Sequence, residues 1–220
     1  IGSQITESAP FVAAIKKVVS FINKLKKEGI GLEYLNIGGG LGIIYDQEAP
    51  QTARIYASKI IPLLEKTGLK IIMEPGRFIV GNAGILVSKV LYIKHTPKKK
   101  FIIVDGGMND LIRPALYGAY HNVVPLRKIS QNQKADVVGP ICESGDFLAK
   151  ERLIAKVKEG DYLAVMSAGA YGFSMSSNYN SRLRAQEVMV VKNKVFVIRK
   201  REISDDLVRN EIIPGYLTKL

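Results

Sequence analysis

The sequence predicts an α/β segment followed by a mostly β domain, and three observations support this fold class. Helical and strand patterns alternate over residues 1–95, which is typical of parallel strands joined by crossover helices. From residue 85 onward, short runs rich in β-branched and aromatic residues predominate. The 220 residues are 47% hydrophobic, enough to bury a large core. We therefore predict one domain over residues 1–84 and a second over residues 85–220.

The α/β segment contains two predicted helices and two predicted strands. Apolar residues recur at three- and four-residue steps from Phe11 to Leu25, which predicts a helix with one apolar face. A second helix is predicted over residues 52–66, and the strands over residues 34–37 and 70–74. A closed (β/α) barrel needs eight strands. We expect the rest of such a barrel to lie in residues not included here; the alternative is an unusually small sheet.

Six predicted strands make up the second domain. They cover residues 85–95, 101–105, 135–141, 162–166, 187–191 and 195–199. Lys192-Asn193-Lys194 separates the last two strands and predicts a hairpin connection there.

The charge and cysteine content exclude several classes of protein. The formal net charge is +12, which would suit binding to nucleic acid. However, the basic residues lie on predicted solvated helix faces and loops, with no basic stripe interleaved with aromatics, so no nucleic-acid partner is predicted. Cys142 is the single cysteine, which excludes an internal disulfide framework and fits a reducing compartment. No apolar stretch is long enough to span a membrane, so we expect a soluble protein. The single cysteine predicts a cytoplasmic location, and no metal site is predicted.

Two predicted strands end in segments suited to binding an anion. The first runs into Gly38-Gly39-Gly40, where the missing side chains let backbone N–H groups approach a ligand closely. The second runs into Glu74-Pro75-Gly76-Arg77, which brings a carboxylate and a guanidinium to a strand end, where α/β barrels hold their functional groups. Each segment alone also fits a structural turn or a surface ion pair.

Three loops of the second domain carry further candidate residues. Cys142 and Glu143 place a thiol beside a carboxylate, a pair suited to proton donation next to a cation-binding group. Arg113 and Tyr117 are four residues apart, so a helical turn would put both on one face, where they could bind a carboxylate. Tyr171 lies in a glycine-containing, polar and aromatic segment. A buried structural cysteine and ordinary turns are the alternatives.

Six segments, taken in order, resemble the fold-type III pyridoxal-phosphate (PLP) decarboxylases over nearly the whole chain. They are IGSQI, NIGGGLGI, MEPGRFIVGNAG, DGGMNDLIRPALY, GPICESGDFLAK and SAGAYGFSMSSNYN. The resemblance implies that residues 1–84 are the C-terminal part of a PLP-binding (β/α)8 barrel. It also implies that a mostly antiparallel β-barrel domain follows.

The resemblance implies a cofactor site and assigns its residues. The implied cofactor-binding residues are Ser3, Gly38, Gly39, Gly40, Glu74, Pro75, Gly76, Arg77 and Tyr171. Ser3, the glycine backbone and Arg77 hold the phosphate end of PLP in this pattern. Glu74 pairs with the pyridine nitrogen, which keeps the ring electron-poor.

The resemblance also implies decarboxylation of meso-diaminopimelate to lysine by a homodimer with shared active sites. Cys142 is the implied catalytic residue and donates a proton from the partner subunit. The implied substrate-binding residues are Arg77, Arg113, Tyr117, Glu143 and Tyr171. Glu143 holds the distal ammonium group, and the two arginines suit a distal carboxylate, which simple diamine-forming substrates lack.

The chain departs from the family pattern in one important respect. The lysine that binds PLP covalently has no counterpart in residues 1–220, and the ring-stacking histidine of the family would precede Ile1. We therefore expect the chain alone to be inactive. A lysine, ornithine or arginine decarboxylase of the same family is one alternative. A non-catalytic homologue that binds another protein is the other.

Overall fold

The computed structural model describes residues 1–217, which form two compact units. The first unit comprises Ile1–Leu86, Tyr120–Val124 and Ala164–Ala170. The second comprises Val87–Ala119, Pro125–Leu163 and the chain from Tyr171 onward. Because neither unit is continuous in sequence, the boundary between residues 84 and 85 stays a prediction.

The first unit is built from α/β elements in the predicted order. Its helices are α1 (Ala9–Lys27), α2 (Ala53–Leu64) and α3 (Gly76–Val80), and its strands are β1 (Tyr34–Asn36) and β2 (Lys70–Ile72). The two strands pair in parallel, with Leu35 opposite Ile71. The predicted helices, strands and parallel pairing are confirmed, while the other strands of a closed barrel are not part of this chain.

Local sequence explains where the helices of this unit begin and end. The Thr52 side chain accepts a hydrogen bond from the backbone N–H of Ile55 (3.3 Å) and so caps the start of α2. Gly29 follows α1 with φ +78°, the left-handed conformation in which glycine commonly ends a helix.

The core of the first unit joins both long helices to β1. Its buried residues are Phe11, Ile15, Ile22, Leu35, Leu41, Tyr56, Ile60 and Leu64. The rings of Phe11 and Tyr56 meet edge to face at 4.9 Å, a favourable aromatic geometry. Val18, which the sequence pattern assigns to the buried face, is 39% exposed and lines a cavity of about 360 Å³ beside Glu74. No described segment covers α1 at this point.

Six strands form one mixed sheet in the order β5-β8-β3-β4-β6-β7. They are β3 (Leu86–His95), β4 (Lys100–Val104), β5 (Val123–Pro125), β6 (Asn132–Val138), β7 (Phe147–Ala155) and β8 (Tyr162–Val165). The pairs β3–β4 and β6–β7 are antiparallel, whereas β4–β6 is parallel. The sheet confirms a β-rich domain, and its closure into a barrel stays a prediction.

Two further strands and two short helices complete the second unit. The strands β9 (Glu187–Val191) and β10 (Lys194–Arg199) form the predicted antiparallel hairpin, with Val190 opposite Val195. Helix α4 (Arg113–Tyr117) lies between β4 and β5, and α5 (Ser204–Val208) follows the hairpin. Within residues 1–217, no helix combines the length and apolar character needed to cross a bilayer.

Candidate functional site

The glycine segment after β1 packs directly on the end of β2. Gly38 and Gly40 have φ of +69° and +91°, and a Cβ on Gly39 would lie 2.0 Å from the Glu74 carbonyl oxygen. The Glu74 backbone N–H donates to the Gly38 carbonyl (2.8 Å). Among the described residues, neither Gly39 nor Gly40 donates its N–H to an acceptor. These two groups therefore fit an anionic ligand.

Asn36 links this glycine segment to the predicted ring-binding carboxylate. Its Nδ2 donates to Glu74 Oε1 (2.5 Å), and its Oδ1 accepts from the Gly38 N–H (2.8 Å). The Gly38 N–H is thus already paired, and the Glu74 side chain is held in one orientation. Sequence reasoning missed Asn36. The available signal was an Asn two residues before the glycines, because Asn side chains commonly bond the backbone two residues on.

Arg77 lies in the first turn of α3 and contacts the N-terminal segment of the chain. Its Nη2 donates to Ser3 Oγ (2.9 Å), and its Nη1 donates to Gln4 Oε1 (3.2 Å). Pro75 and Gly76 make the turn into this helix, where the Gly76 N–H donates to the Glu74 carbonyl (2.9 Å). The structure therefore brings the predicted residues Ser3 and Arg77 together. Together with the glycine segment they form what we call the cradle.

Tyr45 packs against Arg77, and His121 packs against Tyr45. The guanidinium lies 5.7 Å from the centre of the Tyr45 ring, a distance that allows a cation–π contact. Tyr45 in turn meets the fully buried His121 edge to face at 5.2 Å. The Nδ1–H of His121 donates to the Met166 carbonyl (2.9 Å), which fixes the imidazole ring. Sequence reasoning missed both residues, because they are distant from Arg77 in sequence.

In the second unit, Cys142 is exposed and Glu143 is held by two donors. Glu143 Oε1 accepts from the Gly145 N–H (3.1 Å), and Oε2 accepts from the Tyr179 hydroxyl (3.1 Å). The Gly145 N–H and, after it, the Tyr179 hydroxyl lower the pKa of Glu143 from its ordinary value. The same hydrogen bond raises the pKa of Tyr179. A carboxylate held ionised in this way suits an ammonium group.

The buried carboxylate of Asp146 anchors the loop that carries Cys142. One oxygen accepts from the Met108 N–H (2.7 Å) and the other from the Ile141 N–H (2.6 Å). This carboxylate thereby ties the cysteine loop to the segment that precedes Arg113. Sequence reasoning gave Asp146 no role.

Helix α4 confirms that Arg113 and Tyr117 lie one helical turn apart. Arg113 is 8% exposed, and its guanidinium lies 5.8 Å from the centre of the Tyr171 ring. Tyr171 has φ +63°, an uncommon conformation for a residue with a side chain. Tyr117 is 64% exposed at the end of the helix. The structure thus brings Arg113 and Tyr171 together and leaves Tyr117 open to solvent.

The part of the chain that the structure describes contains no cluster of metal-ligating side chains. Residues 1–217 contain no group of three or more His, Cys, Asp or Glu side chains arranged to hold a metal ion.

Comparison with known proteins identifies the family. Residues 17–169 match the family model described as "Pyridoxal-dependent decarboxylase, C-terminal sheet domain". The chain is 53% identical over 210 residues to a diaminopimelate decarboxylase of Aquifex aeolicus, covering 94% of this chain and 50% of that protein. A diaminopimelate decarboxylase of Vibrio cholerae is 51% identical over 204 residues, covering 92% and 49% respectively.

A solved structure agrees with these relatives. The diaminopimelate decarboxylase of M. jannaschii in complex with L-lysine superposes with a TM-score of 0.94 at 42% identity, covering 99% of this chain and 51% of that one. The chain thus spans about half the length of the relatives that it matches. The family model, the sequence identities and the shared fold agree, and the chain therefore belongs to the pyridoxal-dependent decarboxylase family.

Proposed function

We propose that this chain is the C-terminal half of a PLP-dependent enzyme that converts meso-2,6-diaminopimelate to L-lysine and CO2. The cradle carries this proposal, because Ser3, Arg77 and two unpaired glycine N–H groups lie beside an oriented carboxylate, Glu74. Family membership and the names of relatives at 42–53% identity support the activity and the substrate.

The residues of the cradle fit the phosphate end of PLP. A guanidinium, a hydroxyl and backbone N–H groups are the donors that phosphate prefers. A Cβ at Gly39 or Gly40 would lie within 2.5 Å of a backbone oxygen, so only glycine allows the loop to pack this closely. When bound, PLP would supply the electron sink for the electron pair that stays on the substrate carbon when CO2 departs.

Glu74 is proposed to hold a proton on the pyridine nitrogen. Asn36 donates to Oε1 of the carboxylate, which leaves Oε2 free to accept a hydrogen bond from the protonated ring nitrogen. The Asn36 contact fixes the direction of the side chain, so the carboxylate is oriented before the cofactor binds.

The loops of the second unit are proposed to act on the substrate. Glu143, held ionised by the Gly145 N–H and the Tyr179 hydroxyl, binds the distal ammonium group. Arg113 and Tyr117 bind the distal carboxylate, and Tyr171 supports Arg113. Cys142 donates a proton to the reacting carbon in the site of a second copy, which makes the enzyme a homodimer. The single cysteine supports a cytoplasmic location.

The test uses the full-length protein, in which this chain is joined to an N-terminal half like that of its relatives. CO2 release is measured with meso-diaminopimelate, L-lysine, L-ornithine and L-arginine as substrates. We expect turnover of meso-diaminopimelate only. Turnover of one of the other amino acids instead of meso-diaminopimelate would overturn the proposed substrate assignment. Absence of both turnover and PLP absorbance would favour a non-catalytic, protein-binding homologue.

A further inference from the structure

We propose that Gln4 is a positioning residue that sets the affinity of the cradle for a phosphate group. This inference rests on the proposed function, because it deepens the role of the cradle. It concerns a residue that touches Arg77 and the backbone rather than the cofactor.

The Gln4 amide joins Arg77 of the cradle to the backbone at Ile43. Its Nε2 donates to the Ile43 carbonyl (2.6 Å), and its Oε1 accepts from the Ile43 N–H (3.1 Å). The same Oε1 accepts from Arg77 Nη1 (3.2 Å), while the neighbouring Ser3 accepts from Arg77 Nη2 (2.9 Å). One side chain therefore fixes the guanidinium against a backbone position just beyond the glycine segment.

The backbone at Gln4 is held in an unfavourable conformation to make these contacts. Its φ is +57°, in the left-handed region where a residue with a Cβ is disfavoured. Next to it, the Ile5 N–H donates to the Gly40 carbonyl (2.9 Å), and the Gly42 N–H donates to the Ile5 carbonyl (2.9 Å). A glycine at residue 4 would adopt this φ without strain. The presence of Gln therefore indicates that its side-chain contacts are what this position requires.

The geometry makes a specific prediction about ligands. Gln4 holds Arg77, which also donates to Ser3, and Arg77 and Ser3 face the phosphate in the proposed site. Among the described residues, the Gln4 side chain bonds Ile43 and Arg77 and not Glu74, which serves the ring nitrogen. Loss of the amide should therefore weaken binding of PLP more than binding of pyridoxal, which lacks the phosphate. A purely structural role would weaken both ligands equally.

The experiment compares Gln4→Gly and Gln4→Met in the full-length protein. The first removes the amide and relaxes the backbone, and the second keeps the length of the side chain. Gln47→Met is the matched control, because Gln47 is exposed and its side chain makes no hydrogen bond or ion pair within residues 1–217. We expect the dissociation constant for PLP, measured by absorbance titration, to rise about fivefold in both Gln4 variants, as loss of one hydrogen bond would give. Pyridoxal binding should stay unchanged.

Coupling to Arg77 provides the second readout. In an Arg77→Ala background, Gln4→Gly should have no further effect on PLP binding, because Gln4 acts through the guanidinium. Equal loss of PLP and pyridoxal, undiminished PLP binding, or full additivity with Arg77→Ala would each overturn the inference.

A last measurement separates this inference from the proposed function. If the wild-type protein bound no PLP, the proposed function would fail. Thermal stabilisation by inorganic phosphate would still test Gln4 by itself. Stabilisation of the wild type but less of Gln4→Gly supports the positioning role, and equal or absent stabilisation refutes it.

Discussion

Single side chains, each paired with a residue far away in sequence, set the chemistry of the candidate site. Asn36 orients Glu74 across 38 residues, and Tyr179 orients Glu143 across 36. In both pairs a neutral donor holds a carboxylate, so the charge of that carboxylate remains available to a ligand. A guanidinium in place of either donor would neutralise it.

The Tyr179 hydroxyl can be tested by removing that group alone. In Tyr179→Phe, the pKa of Glu143 should move back towards its ordinary value and the carboxylate should lose one of its two anchors. We expect KM for meso-diaminopimelate in the full-length protein to rise about fivefold, the loss expected for one hydrogen bond, with kcat changing less. Tyr162→Phe is the control, because both tyrosines are 46% exposed. Unchanged KM in Tyr179→Phe would contradict this role.

At the scale of elements, backbone packing between strand ends places the glycine segment of the cradle. The glycine segment after β1 and the turn before α3 lie in contact because β1 and β2 pair in parallel and end at the same edge. Side chains cannot enter this contact, so the glycine segment contributes backbone N–H groups, beside the side-chain donors of Ser3 and Arg77.

Gly39→Ala should disrupt this packing. Its Cβ would lie 2.0 Å from the Glu74 carbonyl, an overlap with backbone that cannot move freely. Overpacking of this kind costs about 1–3 kcal/mol, and we expect PLP affinity to fall at least about tenfold as the loop shifts. Gly31→Ala is the control, since nothing lies within 4 Å of a Cβ there. Urea unfolding and PLP titration measure the two effects; native values for Gly39→Ala would disprove the close packing.

Asp161, the residue before β8, forms an ion pair with Arg127, which lies two residues after the end of β5. Arg127 donates to both carboxylate oxygens of Asp161 (2.8 and 2.7 Å), and the Lys158 N–H adds a third donor (2.8 Å). Hydrogen bonds from Arg127 and then Lys158 lower the pKa of Asp161 from 3.8 to about 2. Its stabilising contribution is therefore complete above about pH 4 and is lost as pH falls through the folded pKa.

This sign can be checked by acid unfolding. Between pH 4 and pH 2, the free energy of unfolding of the wild type should fall by up to about 2 kcal/mol more than that of Asp161→Asn, which has no proton to gain. The measurement is urea unfolding at a series of pH values. Parallel curves for the two proteins would show that the Asp161 pKa is not lowered by folding.

At the scale of the whole molecule, the proposed mechanism divides the chemistry between two copies of the chain. The cradle and Glu74 belong to the first unit, and Cys142 and Glu143 belong to the second. If one copy supplies the cradle and another supplies the cysteine, two inactive variants can restore each other.

A mixing experiment tests this division. Glu74→Ala and Cys142→Ala are each expected to be nearly inactive in the full-length protein. Random exchange of subunits makes half of the dimers mixed, and each mixed dimer contains one intact site. CO2 release should therefore recover to about one quarter of the wild-type rate. If each site is built from a single copy, no recovery occurs.

Much of the fold and most of the candidate residues could be predicted because their signals are local. The apolar face of α1, the turn residues of the β9–β10 hairpin and the glycines after β1 are patterns of neighbouring residues. Strand β7 was missed, because Lys150, Glu151 and Arg152 interrupt its apolar pattern. Glu151 has φ +51° and the register with β6 shifts nearby, so the two-residue alternation is lost.

By itself, the sequence determined the class of fold, the order of the motifs and the residue types that reach the cradle and the loops. Tertiary structure alone decided which of these residues meet. Gln4 contacts Arg77 across 73 residues, and Asp146 contacts Met108 across 38. Such contacts depend on the path of the whole backbone, and hydrogen bonds require atoms within about 3 Å. A one-dimensional pattern can propose the partners of a site, but the packing of strands and loops selects them.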